Sequence, residues 1–203
     1  MRIKTGRSTA TVRVHPNKRA IRVFGVAESF RRGDRASVLG GVVMRSDLIV
    51  DGLCLGQAAV GGDDATSSIL GMYRLLRRAD VNVIMLSGCI ISNYNIVDVD
   101  LIAEKTARSV ICLTYRESPG IEGAIRSRFE DAEGKVARYR ALGGRLRVVL
   151  GTGKVVYVRL ASISEPDARR VIESFTLQGG VPEPLRLARL LAHARRTSGQ
   201  PGT

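Results

Sequence analysis

The sequence predicts an α/β domain of three layers, in which helices cover both faces of a mixed central sheet. Three observations predict this class. First, the chain begins with three apolar segments joined by short connections. Second, two continuous apolar segments then alternate with helical patterns. Third, a second hairpin and further helices follow. Short connections favour antiparallel pairing, whereas strands separated by a helix are typically parallel. The chain has 203 residues, 44% of them hydrophobic, which suits one domain.

The first part of the chain predicts an antiparallel meander of three strands. Ile21–Ala27 (IRVFGVA) has the composition of a buried strand. Ala36–Met44 and Asp47–Leu55 follow, and only Arg45 and Ser46 lie between them, which predicts a tight hairpin.

The next elements alternate between helix and strand. Asp63 and Asp64 precede apolar residues at helical spacing, and acids stabilise the positive N-terminal end of a helix. Continuous apolar segments are typical of parallel strands that are buried on both faces. The other predicted elements here are a strand at Val81–Leu86 that breaks at Ser87-Gly88, a helix from Asp98 or Asp100, and a strand at Val110–Tyr115.

The C-terminal part predicts more helices and a second hairpin. The predicted elements are a helical region from Pro119 to Ala141, strands at Leu146–Leu150 and Val155–Leu160 around Gly151-Thr152-Gly153, a helix at Ser164–Phe175 capped by Ser164, and a helix at Leu185–Ala194. Three antiparallel strands followed by helix, strand, helix and strand is the order of the ribonuclease-H-like fold. A generic three-layer α/β domain is the alternative. The predicted boundaries are a basic arm at 1–19, one domain at 20–194 and a flexible tail at 195–203.

The net charge of +13 predicts an anionic partner, and nucleic acid is the leading class. Residues 1–27 contain seven Lys or Arg and no acid, and a second basic block runs from Arg126 to Arg147. Arginine suits bidentate contacts with phosphate. The alternative is an arginine-rich composition whose charges are simply solvated. Aromatic residues make up only 4% of the chain, which disfavours stacking on single strands.

The sequence also predicts where the protein works. No apolar run reaches the roughly 18 residues of a membrane span, and the N-terminus has no apolar signal region, so we expect a cytoplasmic protein without a membrane partner. Cys54, Cys89 and Cys112 are odd in number and match no zinc pattern, which favours reduced thiols.

Five segments carry a resemblance to a known family. They are IRVFGVAES (21–29), GGDDAT (61–66), VIMLSGCIISNYNIVD (83–98), ISEPDARRVIESFT (163–176) and VPEPLRLARLLA (181–192). In this order they resemble the archaeal endonuclease-dU-like family, distant relatives of endonuclease V in DNA repair, across residues 15–192. The resemblance implies the ribonuclease-H-like fold and an ancestral metal-dependent cleavage of DNA at deaminated bases, especially deoxyuridine.

The chain departs from the family at three expected carboxylates. The resemblance implies Asp-Asp at the end of the first strand, Val-Asp-Gly before the first helix and Leu-Asp-Gly after the next strand. This chain has Ala27-Glu28, Val60-Gly61-Gly62 and Leu86-Ser87-Gly88, and it keeps Asp64. Mg²⁺ that activates water for phosphodiester hydrolysis is held by carboxylates from separate strand ends. Ala27 and Gly61 offer no ligand, and Ser87 offers only a neutral hydroxyl, so we expect no metal site and no cofactor.

Several candidate site residues follow. Weak catalytic candidates are Glu28, Asp64 and Asp51; candidates for nucleic-acid contact are Asn93, Asn95, Arg116 and Arg126. Ser87-Gly88-Cys89 is interpreted as a turn, since a nucleophile needs a nearby base and the two histidines lie near opposite ends of the chain. Gly151 to Lys154 is interpreted as a hairpin turn because a strand follows it, whereas a phosphate loop leads into a helix.

The leading hypothesis is a catalytically degenerate member of this nuclease family, a pseudoenzyme that binds nucleic acid, preferentially DNA. One alternative is a Mg²⁺-dependent endonuclease that acts on deoxyuridine-containing DNA. Another is a structural or accessory subunit that does not bind nucleic acid and docks through its C-terminal helix. The sequence is also compatible with a homo-oligomer.

Overall fold

The computed structural model describes residues 21–198. The predicted arm at 1–19 and residues 199–203 of the predicted tail lie outside them. The strands are β1 (Arg22–Ser29), β2 (Ala36–Arg45), β3 (Val50–Ala59), β4 (Val83–Leu86), β5 (Ile90–Ile91), β6 (Asn95–Ile96), β7 (Ser109–Thr114), β8 (Leu146–Val149) and β9 (Val155–Ala161). The helices are α1 (Ala65–Leu76), α2 (Val99–Thr106), α3 (Glu122–Arg126), α4 (Ala132–Ala141), α5 (Glu165–Ser174) and α6 (Glu183–Ser198).

A mixed sheet of seven strands forms the centre of the domain, in the order β3-β2-β1-β4-β7-β9-β8. The first three strands pair antiparallel, β1, β4 and β7 are parallel, and β9 and β8 pair antiparallel. This arrangement confirms the predicted meander and the parallel strands after it. The C-terminal ends of β1, β4 and β7 therefore meet at one edge, the carboxyl edge of the sheet.

Helices cover both faces of the sheet, as predicted. Since side chains alternate along a strand, Phe24 and Val26 of β1 pack on one face and Val23 and Ala27 on the other. The first face packs against α1 and α2, and the second against α5 and α6. A smaller cluster joins α3 and α4 around the buried Ile125.

Helix α6 lies unusually close to β1 and β2 because glycines face it. A Cβ on Gly25 would come within 2.8 Å of Pro184, and a Cβ on Gly40 would overlap the Ala188 carbonyl oxygen. These two glycines therefore set how closely the last helix approaches the sheet.

The first hairpin and the last helix differ from the predicted boundaries. Residues 46–49 connect β2 to β3, and Leu48 adopts the left-handed region at φ 64°, so β3 begins at Val50 and not at Asp47. Helix α6 continues to Ser198, four residues into the predicted tail, because Arg196 Nε donates to Ser29 Oγ at 2.9 Å and ties this end to β1.

The helical region predicted from Pro119 to Ala141 is two helices. It divides after α3 because Phe129 packs edge-on against Tyr94, with ring centroids 5.9 Å apart. The short hairpin of β5 and β6 was not predicted, since two-residue strands leave too short a pattern.

The structure joins Cys89 and Cys112 in a disulfide, with their Cα atoms 6.2 Å apart. The expectation of three reduced cysteines is therefore wrong. Cys89 follows β4, and Cys112 lies on β7 opposite Leu86, so strand pairing brings the two sulfurs together. Cys54 is free. In residues 21–198 no helix is long and apolar enough to cross a membrane.

Candidate nucleic-acid interface at the carboxyl edge of the sheet

A cleft of about 410 Å³ opens at the carboxyl edge, beyond the ends of β4 and β7. Four arginines line it: Arg116, Arg145, Arg159 and Arg189. Among the described residues, Glu117 is the one carboxylate in its wall, and none of the four arginines has a carboxylate oxygen within 4.0 Å. Ligands of open α/β sheets bind beyond the carboxyl ends of strands. We call this feature the arginine cleft.

Arg159 is a buried cation in the wall of the arginine cleft, with 9% of its surface exposed. It donates from Nε and Nη2 to the carbonyl oxygen of Gly143, at 3.3 and 3.2 Å. Burial lowers the pKa of Arg159, and the charge of Arg145 adds to this effect. A buried charge without a counter-ion is costly, so an anion in the cleft would stabilise it.

Arg145 is held rigidly beside Arg159. It donates from Nη1 to Thr114 Oγ1 at 3.1 Å and to the Arg116 carbonyl at 3.0 Å, and from Nη2 to the Ser118 carbonyl at 3.2 Å. Its guanidinium carbon lies 5.2 Å from the centre of the Tyr157 ring. The loop after β7 thus fixes the orientation of Arg145 before any ligand binds.

Arg189 projects from α6 to the end of β4. Its Nη2 donates to Ser87 Oγ at 3.0 Å, and Ser87 N donates to the Val26 carbonyl at 3.0 Å, so Ser87 continues the parallel pairing of β4 with β1. A second cleft, of about 450 Å³, has Glu28, Ser29 and His193 in its wall. Ser87 and Arg189 line both clefts, so they connect them.

Tyr115 follows the last residue of β7 and lines the arginine cleft. Its hydroxyl oxygen is buried and has no hydrogen-bond partner among the described residues. Burial raises the pKa of Tyr115 to about 12, although the charge of Arg189 and the nearby side chain of Ser87 oppose the rise. Tyr115 therefore keeps its proton at neutral pH and is available as a hydrogen-bond donor.

The positions that lack carboxylates do not all converge. Ala27 is buried against α6, and since Val26 pairs with Leu86, Ala27 and Ser87 are neighbours at the carboxyl edge. Gly61 instead lies in the turn after β3 at φ 74°, where its N–H donates to the Ser92 carbonyl at 2.6 Å.

Glu28 faces the α1 side of the sheet, where its Oε2 accepts hydrogen bonds from Ser92 N at 2.7 Å and Ser92 Oγ at 2.8 Å. Ser92 Oγ also forms a short hydrogen bond with Ser37 Oγ. Burial raises the pKa of Glu28, and the hydrogen bonds from Ser92 and the charge of Arg189 oppose the rise only in part. Glu28 is already engaged in joining β1 to the β5–β6 hairpin.

Asp64 and Asn95 form a second buried connection. Both carboxylate oxygens of Asp64 accept from Ala59 N, at 3.0 and 3.1 Å, and Asn95 Nδ2 donates to Asp64 Oδ1 at 2.7 Å. Asn95 Oδ1 accepts from Ala65 N at 3.0 Å, and Asn95 has no exposed surface. The predicted nucleic-acid candidate Asn95 therefore serves the fold, and it joins β3, α1 and β6.

Asp51 lies at the opposite end of the sheet, where Arg22 Nε and Arg78 Nη2 approach it at 2.9 and 3.1 Å. Burial raises its pKa, but the hydrogen bonds from the two arginines outweigh burial, and the net effect is a lowered pKa. Glu28, Asp64 and Asp51 therefore do not form one site. In residues 21–198 no three His, Cys, Asp or Glu side chains lie close enough to hold a metal ion. The donor set does not fit a catalytic Mg²⁺.

The other predicted contact residues lie in different places. Arg116 lines the arginine cleft. Asn93 is exposed in the β5–β6 turn at φ 58°, and Arg128 Nη1 lies 3.5 Å from its Oδ1. Arg126 is exposed on α3, where its Nε lies 2.7 Å from Glu133 Oε1.

Sequence reasoning missed Arg145, Arg159, Arg189 and Tyr115 as members of one site. One sequence pattern could have identified Arg159. A charged residue within the otherwise apolar strand Val155–Leu160 indicates a buried charge, which is a candidate for a functional role. Nothing in the sequence places Arg189 beside Ser87, since 102 residues separate them.

Two sequence comparisons relate the chain to known proteins. The sequence model of a family described as Endonuclease dU matches residues 19–195. A UPF0215 protein of Pyrobaculum aerophilum is 37% identical over 174 residues, which cover 85% of this chain and 93% of that protein. The chain is thus similar over nearly its whole domain to a protein of comparable length.

Two solved structures show the ribonuclease-H-like fold of the domain. A protein of unknown function from Archaeoglobus fulgidus superposes with a TM-score of 0.75 at 24% identity, covering 86% of this chain and 98% of that chain. Endonuclease V of Ciona intestinalis, in complex with a DNA that contains an inosine, superposes with a TM-score of 0.62 at 13% identity, covering 91% and 89%. The predicted fold class is confirmed.

Proposed function

The chain belongs to the Endonuclease dU family, and from this premise we propose that it binds nucleic acid, preferentially DNA, and has lost most ligands of the ancestral metal site. The observation that carries the proposal is the arginine cleft, where four guanidinium groups that form no ion pair with any residue of 21–198 surround the carboxyl ends of β4 and β7. The Endonuclease V of Ciona intestinalis that shares this fold is bound to DNA, which supports the same partner here.

Arginine side chains bind phosphate through charge-assisted hydrogen bonds, and their planar groups also orient it. Arg145 and Arg159 are fixed by backbone carbonyls, so they lose little freedom when a phosphate arrives. Arg189 donates a hydrogen bond from Nη2 to Ser87 and lines both clefts. It would therefore hold a nucleic-acid backbone that runs from one cleft to the other.

The proposal of lost catalysis rests on what occupies the expected ligand positions. Ala27 and Ser87 are neighbours at the carboxyl edge, and neither supplies a carboxylate. Glu28 and Asp64, the nearest substitutes in sequence, are committed to Ser92 and to Ala59 with Asn95. A Mg²⁺ ion needs several free oxygen ligands, and this set does not provide them.

The competing function is a metal-dependent endonuclease that acts on deoxyuridine-containing DNA, which the description of the family favours. Catalysis would require Glu28 to leave Ser92 and turn toward Ser87. An accessory subunit without nucleic-acid binding is the third function, and a cytoplasmic location remains a prediction from the sequence.

Two measurements on the full chain separate these functions. Calorimetric titration with MgCl₂ and MnCl₂ should show no saturable site, and a saturable site that Glu28→Gln abolishes would contradict the loss of the metal site and support the nuclease alternative. Fluorescence anisotropy with labelled DNA across a salt series should show affinity that falls steeply as salt rises, because bound phosphates release counter-ions. An accessory subunit would show no binding even at low salt.

A further inference from the structure

We propose that the arginine cleft binds a phosphate monoester, the terminal phosphate of a nucleic-acid strand, and not a phosphodiester within a strand. The inference rests on the proposed function and names the group that the cleft recognises. It is carried by four cations that have no carboxylate partner among the described residues, by the burial of Arg159 and by the buried hydroxyl of Tyr115.

The charge of the cleft suits a dianion. Four guanidinium groups face a space of about 410 Å³, and Glu117 is the one carboxylate among the described residues of its wall. A phosphate monoester carries a charge of about −1.5 to −2 at neutral pH, whereas a phosphodiester carries about −1. A monoester therefore neutralises more of the charge that the fold has concentrated here.

The position of Arg159 favours the end of a nucleic-acid strand over a phosphate within the strand. Its guanidinium is buried, and it contacts the neutral carbonyl of Gly143 and the ring of Tyr139, 6.0 Å away. A phosphate must enter the cleft to reach Arg159. A phosphodiester would have to bring a sugar on each side, whereas a terminal phosphate presents three free oxygens on one side.

The partners of that phosphate are already oriented. Three hydrogen bonds to Thr114, Arg116 and Ser118 fix Arg145. The buried hydroxyl of Tyr115 has no partner among the described residues, and it could donate to a phosphate oxygen. Tyr115 directly follows β7, and Arg145 is hydrogen-bonded to Thr114, the last residue of that strand, so both line the same end of the cleft.

The remaining wall of the cleft is apolar and fits the nucleotide attached to the phosphate. Ile90, Leu113, Ile121 and Tyr139 contribute to it. The volume lies within the range of about 300–1,000 Å³ that is usual for small-ligand pockets. This space admits one terminal nucleotide.

The test is fluorescence anisotropy with one short DNA sequence that carries a 5′-phosphate, a 3′-phosphate or hydroxyls at both ends. We expect one phosphorylated strand to bind the full chain about tenfold more tightly than the hydroxyl strand. Arg116→Gln and Arg145→Gln should abolish this preference, and the control Arg74→Gln, an exposed arginine on α1, should keep it. Thermal melting of each variant checks that it is folded.

Equal affinity for all three strands would overturn the monoester proposal and leave the proposed function standing, whereas no binding of any strand at low salt would overturn both. Competition with adenosine monophosphate identifies the source of the monoester. Displacement of the phosphorylated strand by low concentrations of the mononucleotide supports a monoester site that takes free nucleotides. An end preference without such displacement supports a strand end.

Discussion

Arg189 Nη2 lies 3.0 Å from Ser87 Oγ, and this contact joins the last helix to the end of a central parallel strand. Arg189 has no carboxylate within 4.0 Å among the described residues. Its charge nevertheless acts to lower the pKa of both Glu28 and Tyr115. A cation thus stands where β1 and β4 end, beside the neutral residues Ala27 and Ser87.

Arg189→Gln should weaken DNA binding about tenfold and reduce the slope of log affinity against log salt by about 1, because one phosphate contact is lost. Anisotropy titrations at several salt concentrations measure both quantities. Arg74→Gln removes the same charge from α1 and should change neither quantity appreciably. An unchanged salt slope for Arg189→Gln would exclude a phosphate contact at this residue.

Glu28→Gln should make the protein as stable as the wild type, or slightly more stable, at pH 7. The pKa of Glu28 is raised above its ordinary value of 4.5, so the folded protein retains a proton that the unfolded chain has lost. Wild-type stability therefore falls as pH rises from about 4.5 through the raised pKa. Thermal melts from pH 4 to pH 7 should show the variant gaining stability relative to the wild type as pH rises. The opposite trend would mean that the Glu28 carboxylate stabilises the fold in its charged form.

Asn95→Ala should lower the free energy of unfolding by about 2–3 kcal/mol, since the change removes three buried hydrogen bonds, those with Ala65 N, Ala59 O and Asp64 Oδ1. Urea denaturation measures the loss. Gln57→Ala, at an exposed position of β3, is the control and should stay within about 0.5 kcal/mol of the wild type. If Asn95 contacted DNA instead, its replacement would lower affinity and leave stability unchanged.

Thiol titration of the denatured, unreduced protein should detect one cysteine, Cys54, and three after reduction. The disulfide spans 23 residues, and loops of this size contribute about 3 kcal/mol by restricting the unfolded chain. Reduction should therefore lower the melting temperature of the wild type. In a Cys89→Ser/Cys112→Ser double variant the reductant should have no effect. Three reactive thiols before reduction would show that the bond does not form in the purified protein.

Gly40→Ala should destabilise the protein by several kcal/mol, on the order of a large core disruption, because its Cβ would overlap the Ala188 carbonyl of α6. Gly71→Ala is the matched control: nothing lies within 4 Å of its Cβ, and alanine is favoured over glycine in α1 by about 0.5–1 kcal/mol. Urea denaturation of both variants should therefore give changes of opposite sign. A small effect of Gly40→Ala would mean that α6 can move away from the sheet without loss.

Local patterns determined most of the fold. The apolar segments at 21–27, 36–44 and 110–115 are long enough to show strand composition, and Asp98 and Ser164 cap α2 and α5 as predicted. The predicted boundaries of helices and strands were wrong where a single tertiary contact or backbone conformation sets the end of the element. Leu48 in the left-handed region, Phe129 turned to Tyr94 and Arg196 bound to Ser29 each depend on a neighbour that the local pattern does not contain.

By itself the sequence determined the fold class, the excess of positive charge and the absence of carboxylates at positions 27, 61 and 87, because composition and strand periodicity are local properties. Only the tertiary structure decided which charges share a site. Arg116, Arg145, Arg159 and Arg189 come from four separate segments, and strand order together with the close approach of α6 gathers them around one cleft. The same packing commits Glu28, Asp64 and Asp51 to separate partners, since a buried carboxylate must be satisfied where it lies.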